Sequence, residues 1–508
     1  MIENNSTENK RIAKNTLFMY LRMLVNMIVL LYTSRLILQN LGVSDFGIYN
    51  VVGGVVVIFS FVNTAMTSST SRFLSYALGQ KDSILLNKIF ASTLFIHTIL
   101  SLLVFFLCET AGLWYVKNVL VLPHIRIDVV PWVLHYSLFT TLFMIITVPF
   151  SSLVMSHERM DVYAYISLFD VFAKLGLAIY IKYVSFDKLI AYSFGLMLIS
   201  LIVLCVYVFY VKNKRLVNKI SIIPEKKITQ RLLSFSSWAL LGNASSVCNT
   251  QGLNLVLNYF FGTIINAAYG ITTRVLSAIT SLSSGFQVSL NPQIVKTFSV
   301  QNFDRHCRLV CLSSKYSFYL VTLISLPIFF NIDSILYYWL GEYPVETVTF
   351  VQIMMMTSVV ATIGNPFGAS IEATGQVKRL SIFTSILNIL VLPISFIILY
   401  CFKIPYLSFV VNLILTTMIQ MMKIVEMHRL VGIRYDVVYN SVLLPIILVI
   451  IPSISASYLI SLLIESNTLW MTILSCVLII FSHIIAIMFI GLTKDERSKI
   501  IKLIIKKH

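Results

Sequence analysis

Fourteen long apolar runs alternate with short polar segments along the 508-residue chain. Each run is about long enough to cross a hydrocarbon core as a helix, which takes roughly 20 residues. We therefore predict an all-α, polytopic membrane protein with about 14 transmembrane helices. The runs cover residues 15–39, 46–71, 84–108, 129–152, 161–183, 189–211, 232–260, 263–290, 307–331, 346–374, 379–400, 405–422, 437–460 and 468–492.

Lysine and arginine concentrate at the two ends of the chain and on alternate polar segments. Of the 38 such residues, 29 lie there, with a dense group between Lys212 and Arg231. By the positive-inside rule, we predict an even number of spans with both termini in the cytoplasm. The net charge of +17 is then a topology signal beside an anionic leaflet, so we expect no nucleic-acid partner.

Composition and motifs argue against an enzyme. Hydrophobic residues make up 58% of the chain and charged residues 12%, which excludes a soluble domain. The sequence contains no glycine-rich phosphate loop and no Ser-His-Asp arrangement. Cys307 and Cys311 lack a second pair, so we expect neither a metal nor a cofactor. A membrane polymerase or ligase stays a weaker alternative, because the longest outer loop, 109–128, is short for an active site.

Two passages recur at nearly equal offsets. Gly42 and Tyr49 match Gly262 and Tyr269 at an offset of 220, and Pro149-Phe150 matches Pro366-Phe367 at 217. Because the equivalent runs are six apart, and six is even, both copies would cross the membrane in the same direction. Such a parallel repeat has its axis along the membrane normal.

The repeat predicts two six-helix lobes around a central cavity. We place the lobes at residues 1–211 and 232–430, with a cytosolic linker at 212–231. Residues 431–508 would add two further spans and a basic tail. Two similar lobes that rock against each other suit alternating access.

Polar side chains recur at helical spacing inside several apolar runs. In the seventh run, Asn243, Ser246, Thr250, Asn254 and Asn258 share one helix face. The eighth run carries Ser277 and Ser281, and the first two runs carry Asn26, Asn63 and Thr67. Such residues either bond helices together or line a wet cleft. We favour the cleft, because the polar runs are equivalent pairs in the two repeats.

Apart from the cations assigned to the polar segments, such as Lys315 on the cytoplasmic side, four cations lie within the runs. A charge at mid-membrane costs about 2.5–3.5 kcal/mol on insertion scales, so each should face water, protein or a ligand. Lys174 follows Asp170 by four residues, which allows either an ion pair or ligand contact, and Asp170 is our ion-coupling candidate. The excess of arginine favours an anionic ligand, and phosphate fits the guanidinium fork best. The cations are Arg22, Arg35, Lys174 and Arg274.

Two segments resemble one transporter family. Residues 34–50, SRLILQNLGVSDFGIYN, resemble the helix 1–2 signature of bacterial polysaccharide flippases. Residues 366–376, PFGASIEATGQ, are similar to the segment that closes helix 10 of that family. These are the O-antigen and capsule translocases of the multidrug/oligosaccharidyl-lipid/polysaccharide exporter superfamily.

The resemblance implies a substrate, a location and partners. It implies movement of an undecaprenyl-pyrophosphate-linked oligosaccharide from the inner to the outer leaflet of the bacterial cytoplasmic membrane. The partners would be this substrate, membrane lipids and other glycan-assembly proteins. The family's basic cavity lining would fall on Arg22 and Arg274, and further on Arg35 and Lys174. A cation-coupled exporter of drugs or metabolites from the same superfamily is the alternative, and proton, sodium or membrane potential could supply the energy.

Overall fold

A computed structural model describes residues 2–57, 82–157, 159–218, 220–299, 301–464 and 468–498, with short pieces between 66 and 80. These residues form helices and no strands. Ten of their helices are long and apolar enough to cross a membrane. The helices are α1 (Ile2–Val57), α2 (Ser83–Leu107), α3 (Val130–Ser156), α4 (Met160–Tyr180), α5 (Lys188–Asn213), α6 (Lys226–Phe261), α7 (Thr263–Ser299), α8 (Phe303–Leu340), α9 (Glu346–Thr374), α10 (Lys378–Phe402), α11 (Leu407–Val431), α12 (Leu444–Leu463) and α13 (Leu469–Ala486).

The helices follow the apolar runs closely, so the predicted fold class is confirmed. The first run and the start of the second lie in α1, and each later run has a helix of its own. The helices α1, α6 and α7 also contain apolar runs, but they are not among the ten helices named above as long and apolar enough to cross a membrane. Short π-helical turns continue α2 at Cys108–Gly112 and α13 at Ile487–Gly491.

Two glycines at equivalent repeat positions share a rare backbone conformation. Gly42 interrupts α1 with φ 79° and ψ 167°, and Gly262 separates α6 from α7 with φ 75° and ψ −167°. This region is open essentially only to glycine, because a side chain would clash with the backbone. Pro149 and Pro366 likewise both lie inside helices. These pairs support the duplication inferred from the 220- and 217-residue offsets.

The chain divides into two compact units. The first comprises Met1–Ile271 and Thr384–Ser408, and the second comprises Thr272–Phe383 and Phe409–His508. One core of the first unit packs Val52 of α1 against Val104 of α2 and Leu134 of α3. In the second unit, Phe318, Phe367 and Val449 belong to one buried cluster. The predicted lobes, 1–211 and 232–430, remain a prediction.

Candidate functional site

Three asparagines form a buried amide network between α6 and α7. Asn258 donates to Asn266 Oδ1 at 2.8 Å, and Asn266 donates to Asn254 Oδ1 at 2.6 Å and to the Asn254 carbonyl at 2.8 Å. The three residues are at most 2% exposed. Because a buried amide without partners costs about 1–3 kcal/mol, this mutual pairing makes their burial tolerable.

The same network reaches α1 and the segment after α2. Asn254 Nδ2 donates to the Asn50 carbonyl at 3.1 Å. Asn258 accepts from the Val121 amide at 2.9 Å and donates to the Val121 carbonyl at 3.2 Å. All of these residues belong to the first unit. The charge distribution predicts that this end of the unit, which includes 119–128 and 258–263, faces outward.

Small residues let α1 and the start of α7 approach closely beside the network. A Cβ on Gly47 would lie 2.1 Å from the Thr263 carbonyl oxygen, and one on Gly270 would lie 2.7 Å from the Asn50 amide. Small residues permit such contact between membrane helices. Asn50 and Gly270 are 220 residues apart, which is the offset of the predicted repeat, so the contact joins positions that the repeat would make equivalent. That contact is expected near a two-fold pseudo-axis.

The remaining part of the α6 polar face is different. Ser246 and Thr250 are exposed, and the Thr250 hydroxyl donates only within its own helix, to Ser246 and Val247 carbonyls at 3.4 and 3.1 Å. Asn243 is half-buried and has a polar contact of its own. On a neighbouring face, Ser245 approaches Ser385 at 3.2 Å. The predicted stripe therefore contains both buried and accessible positions.

The other predicted site residues are distributed over both units. In the first unit, Lys174 donates to Asp170 Oδ2 at 2.7 Å, which is the ion pair that their spacing allows. Asn26, Thr67 and Arg35 are half-buried. In the second unit, α7 presents half-buried Arg274 and Ser281 and exposed Ser277. The Arg22 side chain and Asn63 lie outside the described residues.

An ion-pair cluster at the predicted outer end was missed by the sequence analysis. Arg126 donates from Nε to Asp45 Oδ1 at 2.9 Å, from Nη2 to Asp45 Oδ2 and from Nη1 to Asp187 Oδ2. Asp187 also caps α5 by accepting from the Leu189 amide at 2.9 Å. Burial opposes the Arg126 charge, but the two carboxylates outweigh it and raise the pKa of the guanidinium above its ordinary value. Asp45 belongs to the segment that carries the flippase resemblance, and here it has a structural role.

A second missed ion pair lies in the second unit. Lys315 of α8 is 4% exposed and donates to both carboxylate oxygens of Glu496 at 2.9 and 2.8 Å. Thr493 and Glu496 bond each other's backbone amides, which is a capping box. Burial raises the pKa of Glu496, but the hydrogen bonds from Lys315 and Thr493 lower it by more. The pKa of Glu496 therefore lies below its ordinary value. The Thr-x-x-Glu spacing at 493–496 was a signal for the capping box, whereas no local spacing indicated the contact with Lys315.

The fold is similar to those of solved transporters. The chain matches a lipid II flippase MurJ in an inward closed conformation, with 14% identity, 92% of this chain and 97% of that chain covered, and a TM-score of 0.66. An inward-facing multidrug resistance MATE family transporter of the MOP superfamily matches with 12% identity, 81% and 98% coverage and a TM-score of 0.63. A MOP superfamily transporter from Pyrococcus furiosus matches with 12% identity, 82% and 96% coverage and a TM-score of 0.61. No protein-family model matches the chain, and no curated protein matches it in sequence.

Proposed function

We propose that this chain flips an undecaprenyl-pyrophosphate-linked oligosaccharide from the inner to the outer leaflet of a bacterial cytoplasmic membrane. Lobes 1–211 and 232–430 would alternate access to a shared cavity. Arginines in that cavity, with Arg274 foremost, would hold the pyrophosphate through their planar forks. Polar residues of α6 and α7 would contact the sugars.

The observation that carries the proposal is the extent of the structural match. The lipid flippase fold covers 92% of this chain, whereas multidrug transporter folds cover 81–83%. The larger share of this chain that the flippase fold covers favours an architecture with transmembrane helices in addition to the two six-helix repeats. That neighbour is a flippase of lipid II, and a lipid cargo agrees with the cargo implied by the sequence resemblance.

The chemistry of the predicted site supports an anionic headgroup. Lys174 already has a carboxylate partner in Asp170, and the side chains of Arg35 and Arg274 are half-buried. A half-buried guanidinium interacts more strongly with phosphate than one in bulk water does, because the local dielectric is lower. Diphosphate also offers the paired oxygen atoms that a guanidinium binds best.

A cation-coupled exporter is the second candidate. The similarity to multidrug transporter folds at TM-scores up to 0.63 favours it. Such a protein would need a carboxylate that takes up and releases a cation, and Asp170 is the candidate. Deletion would then cause drug sensitivity while the surface glycan stays intact.

The proposal is tested in bacterial cells that express this chain, by comparing surface glycan after deletion of the chain and after replacement of single residues. We expect Arg274→Ala to lower glycan display about tenfold or more, because a lost charge-assisted hydrogen bond costs about 1.5–3 kcal/mol. Arg274→Lys should lower it less, since it keeps the charge and loses the fork. Glycan display is measured by flow cytometry with a glycan-specific lectin.

The matched control is Arg434→Ala, because the Arg434 side chain is 76% exposed beside Asp436. It should leave glycan display unchanged at equal protein level. Unchanged display in a strain that lacks the whole chain would contradict the proposed function. Normal display with Arg274→Ala alone would contradict the assigned role of that arginine.

A further inference from the structure

The first unit contains a cavity of about 910 Å³ at its predicted outer end. Its lining comes from the segment after α2 and from the beginning of α3, and it includes Val121, Ile127, Asp128, Trp132 and His135. Binding sites for small molecules typically measure about 300–1,000 Å³ and combine an apolar wall with a few polar groups. The size and lining of this cavity meet both criteria.

The wall of the cavity is held in place from two sides. Asn258 pairs with both the amide and the carbonyl of Val121. Arg126 immediately precedes the lining residues Ile127 and Asp128, and its guanidinium forms ion pairs with Asp45 and Asp187. A binding site needs its lining fixed by supporting contacts, and these two sets of bonds provide them.

The polar groups of the cavity favour a neutral, hydroxyl-bearing ring. Trp132 is 54% exposed and lines the cavity, and its ring stacks on Tyr136 with centroids 6.1 Å apart. His135 Nδ1 lies 2.8 Å from Glu109 Oε1, and Asp128 adds a carboxylate. Carboxylates accept hydrogen bonds from hydroxyl groups, and an indole face packs on the C–H face of a sugar ring.

Two other ligand classes fit less well. A phosphate would meet the carboxylate of Asp128, while the nearby guanidinium of Arg126 is already engaged by two aspartates. An organic cation is typically held by several aromatic faces, and Trp132 is the single aromatic side chain among the described lining residues. An acyl chain would lie against the carboxylate of Asp128 without offering it a hydrogen-bond donor.

We propose that this cavity binds a pyranose ring of the transported glycan on the outer side, with Trp132 as the stacking platform and Asp128 and His135 as hydrogen-bond partners. The inference rests on the proposed function for the identity of the cargo. It adds an exit-side sugar site that is separate from the arginines assigned to the pyrophosphate. Val121 belongs to the cavity wall and is also hydrogen-bonded to Asn258 of α6. A bound sugar would therefore lie against the segment after α2 that contacts α6.

The test uses the full-length protein in lipid nanodiscs and saturation-transfer NMR. The probes are methyl glucoside, methyl galactoside and methyl N-acetylglucosaminide. We expect transfer to the C–H protons of at least one glycoside, and about tenfold weaker binding in Trp132→Ala, the usual scale for losing an aromatic anchor. Trp132→Phe should retain part of the binding, because it keeps an aromatic face.

The matched control is Trp114→Ala, which removes a tryptophan that is 62% exposed and lies outside the cavity lining. It should bind the glycosides like the unaltered protein. Absence of transfer for all three glycosides, or equal binding in Trp132→Ala, would overturn the proposal. Displacement of a bound glycoside by tetraphenylphosphonium would also overturn it, in favour of a cation site.

The experiments distinguish a failure of the proposed sugar site from a failure of the proposed flippase function. If the nanodisc experiment shows no glycoside binding while Arg274→Ala still lowers surface glycan, the sugar site is wrong and the flippase function stands. If a glycoside binds at Trp132 while deletion of the chain leaves surface glycan intact, the site stands and the flippase function is wrong. Lipid is present throughout in nanodiscs, so glycoside binding there also excludes a lipid chain as the resident of the cavity.

Discussion

The polar face of α6 has two parts that look alike in the sequence and differ in the structure. Asn254 and Asn258 are 2% and 0% exposed and bond α7, α1 and the segment after α2. Ser246 and Thr250 are exposed, and the Thr250 hydroxyl bonds its own helix. The first pair holds helices together, whereas the second pair is exposed and, among the described residues, bonds to no other helix through the Thr250 hydroxyl.

This difference shows what helical periodicity can and cannot reveal. A spacing of three or four residues places side chains on one face, whatever that face contacts. Burial then depends on residues far away in sequence, here Asn50 and Val121. Substrate contact by Asn254 and Asn258 would require the network to open, whereas contact by Thr250 would not.

The largest effect is expected where the helices meet without room for a side chain. Gly47→Ala should destabilise the protein by about 3 kcal/mol, because its Cβ would force the Thr263 backbone away. Gly53→Ala on the same helix is the control, since nothing lies within 4 Å of its Cβ. Thermal unfolding in detergent checks both. Equal melting temperatures for the two variants would show that the close contact at Gly47 is wrong.

The next effect tests the amide network directly. Asn266→Leu should cost about 2 kcal/mol, since it removes one hydrogen-bond partner from each of Asn254 and Asn258 while both remain buried. Asn118→Leu, at an exposed asparagine bonded to the Trp114 carbonyl, serves as control. A melting temperature for Asn266→Leu no lower than that of the control would contradict a structural role for the network.

A smaller effect on stability is expected at the accessible part of the same face. Thr250→Ala should change the free energy of unfolding by less than about 0.5 kcal/mol, as at ordinary exposed positions. If Thr250 lines the cargo path, surface glycan should nevertheless decrease at an unchanged protein level. A large loss of stability would place Thr250 with Asn254 and Asn258 and remove the distinction between the two parts.

A similarly small stability effect is expected at the Lys174–Asp170 pair. Both side chains are partly exposed, so the pair should contribute about 0.3–0.5 kcal/mol. Asp170→Asn should therefore leave stability almost unchanged, and it should leave transport intact if the carboxylate only neutralises Lys174. Loss of transport in Asp170→Asn, with normal folding, would support cation coupling through Asp170.

Much of the fold could be predicted from the sequence, because apolar run length is a local property. The boundaries of α3, α5 and α9 follow their runs within a few residues, and Gly42 and Gly262 were recognised as equivalent. The Lys174–Asp170 ion pair could be predicted for the same reason, since the two residues lie one helical turn apart. Local spacing was sufficient for each of these features.

The long-range contacts could not be predicted in the same way. Arg126 and Asp187 belong to different connecting segments, and Asp45 is 81 residues from Arg126. Asn50 and Asn266 are polar residues in apolar runs, but their contacts depend on how α1, α6 and α7 pack. Lys315 was treated as a topology signal on the cytoplasmic side, and the structure shows it buried against Glu496.

The most direct test of the central claim is a leaflet-accessibility assay in proteoliposomes. A fluorescent undecaprenyl-pyrophosphate-linked oligosaccharide is distributed over both leaflets, and a membrane-impermeant reductant quenches only the outer one. We predict that the full-length protein makes the inner-leaflet pool accessible over time, and that Arg274→Ala slows this while Arg434→Ala does not. Equal quenching with and without the protein, under any imposed proton, sodium or electrical gradient, would contradict lipid-linked oligosaccharide translocation by this chain.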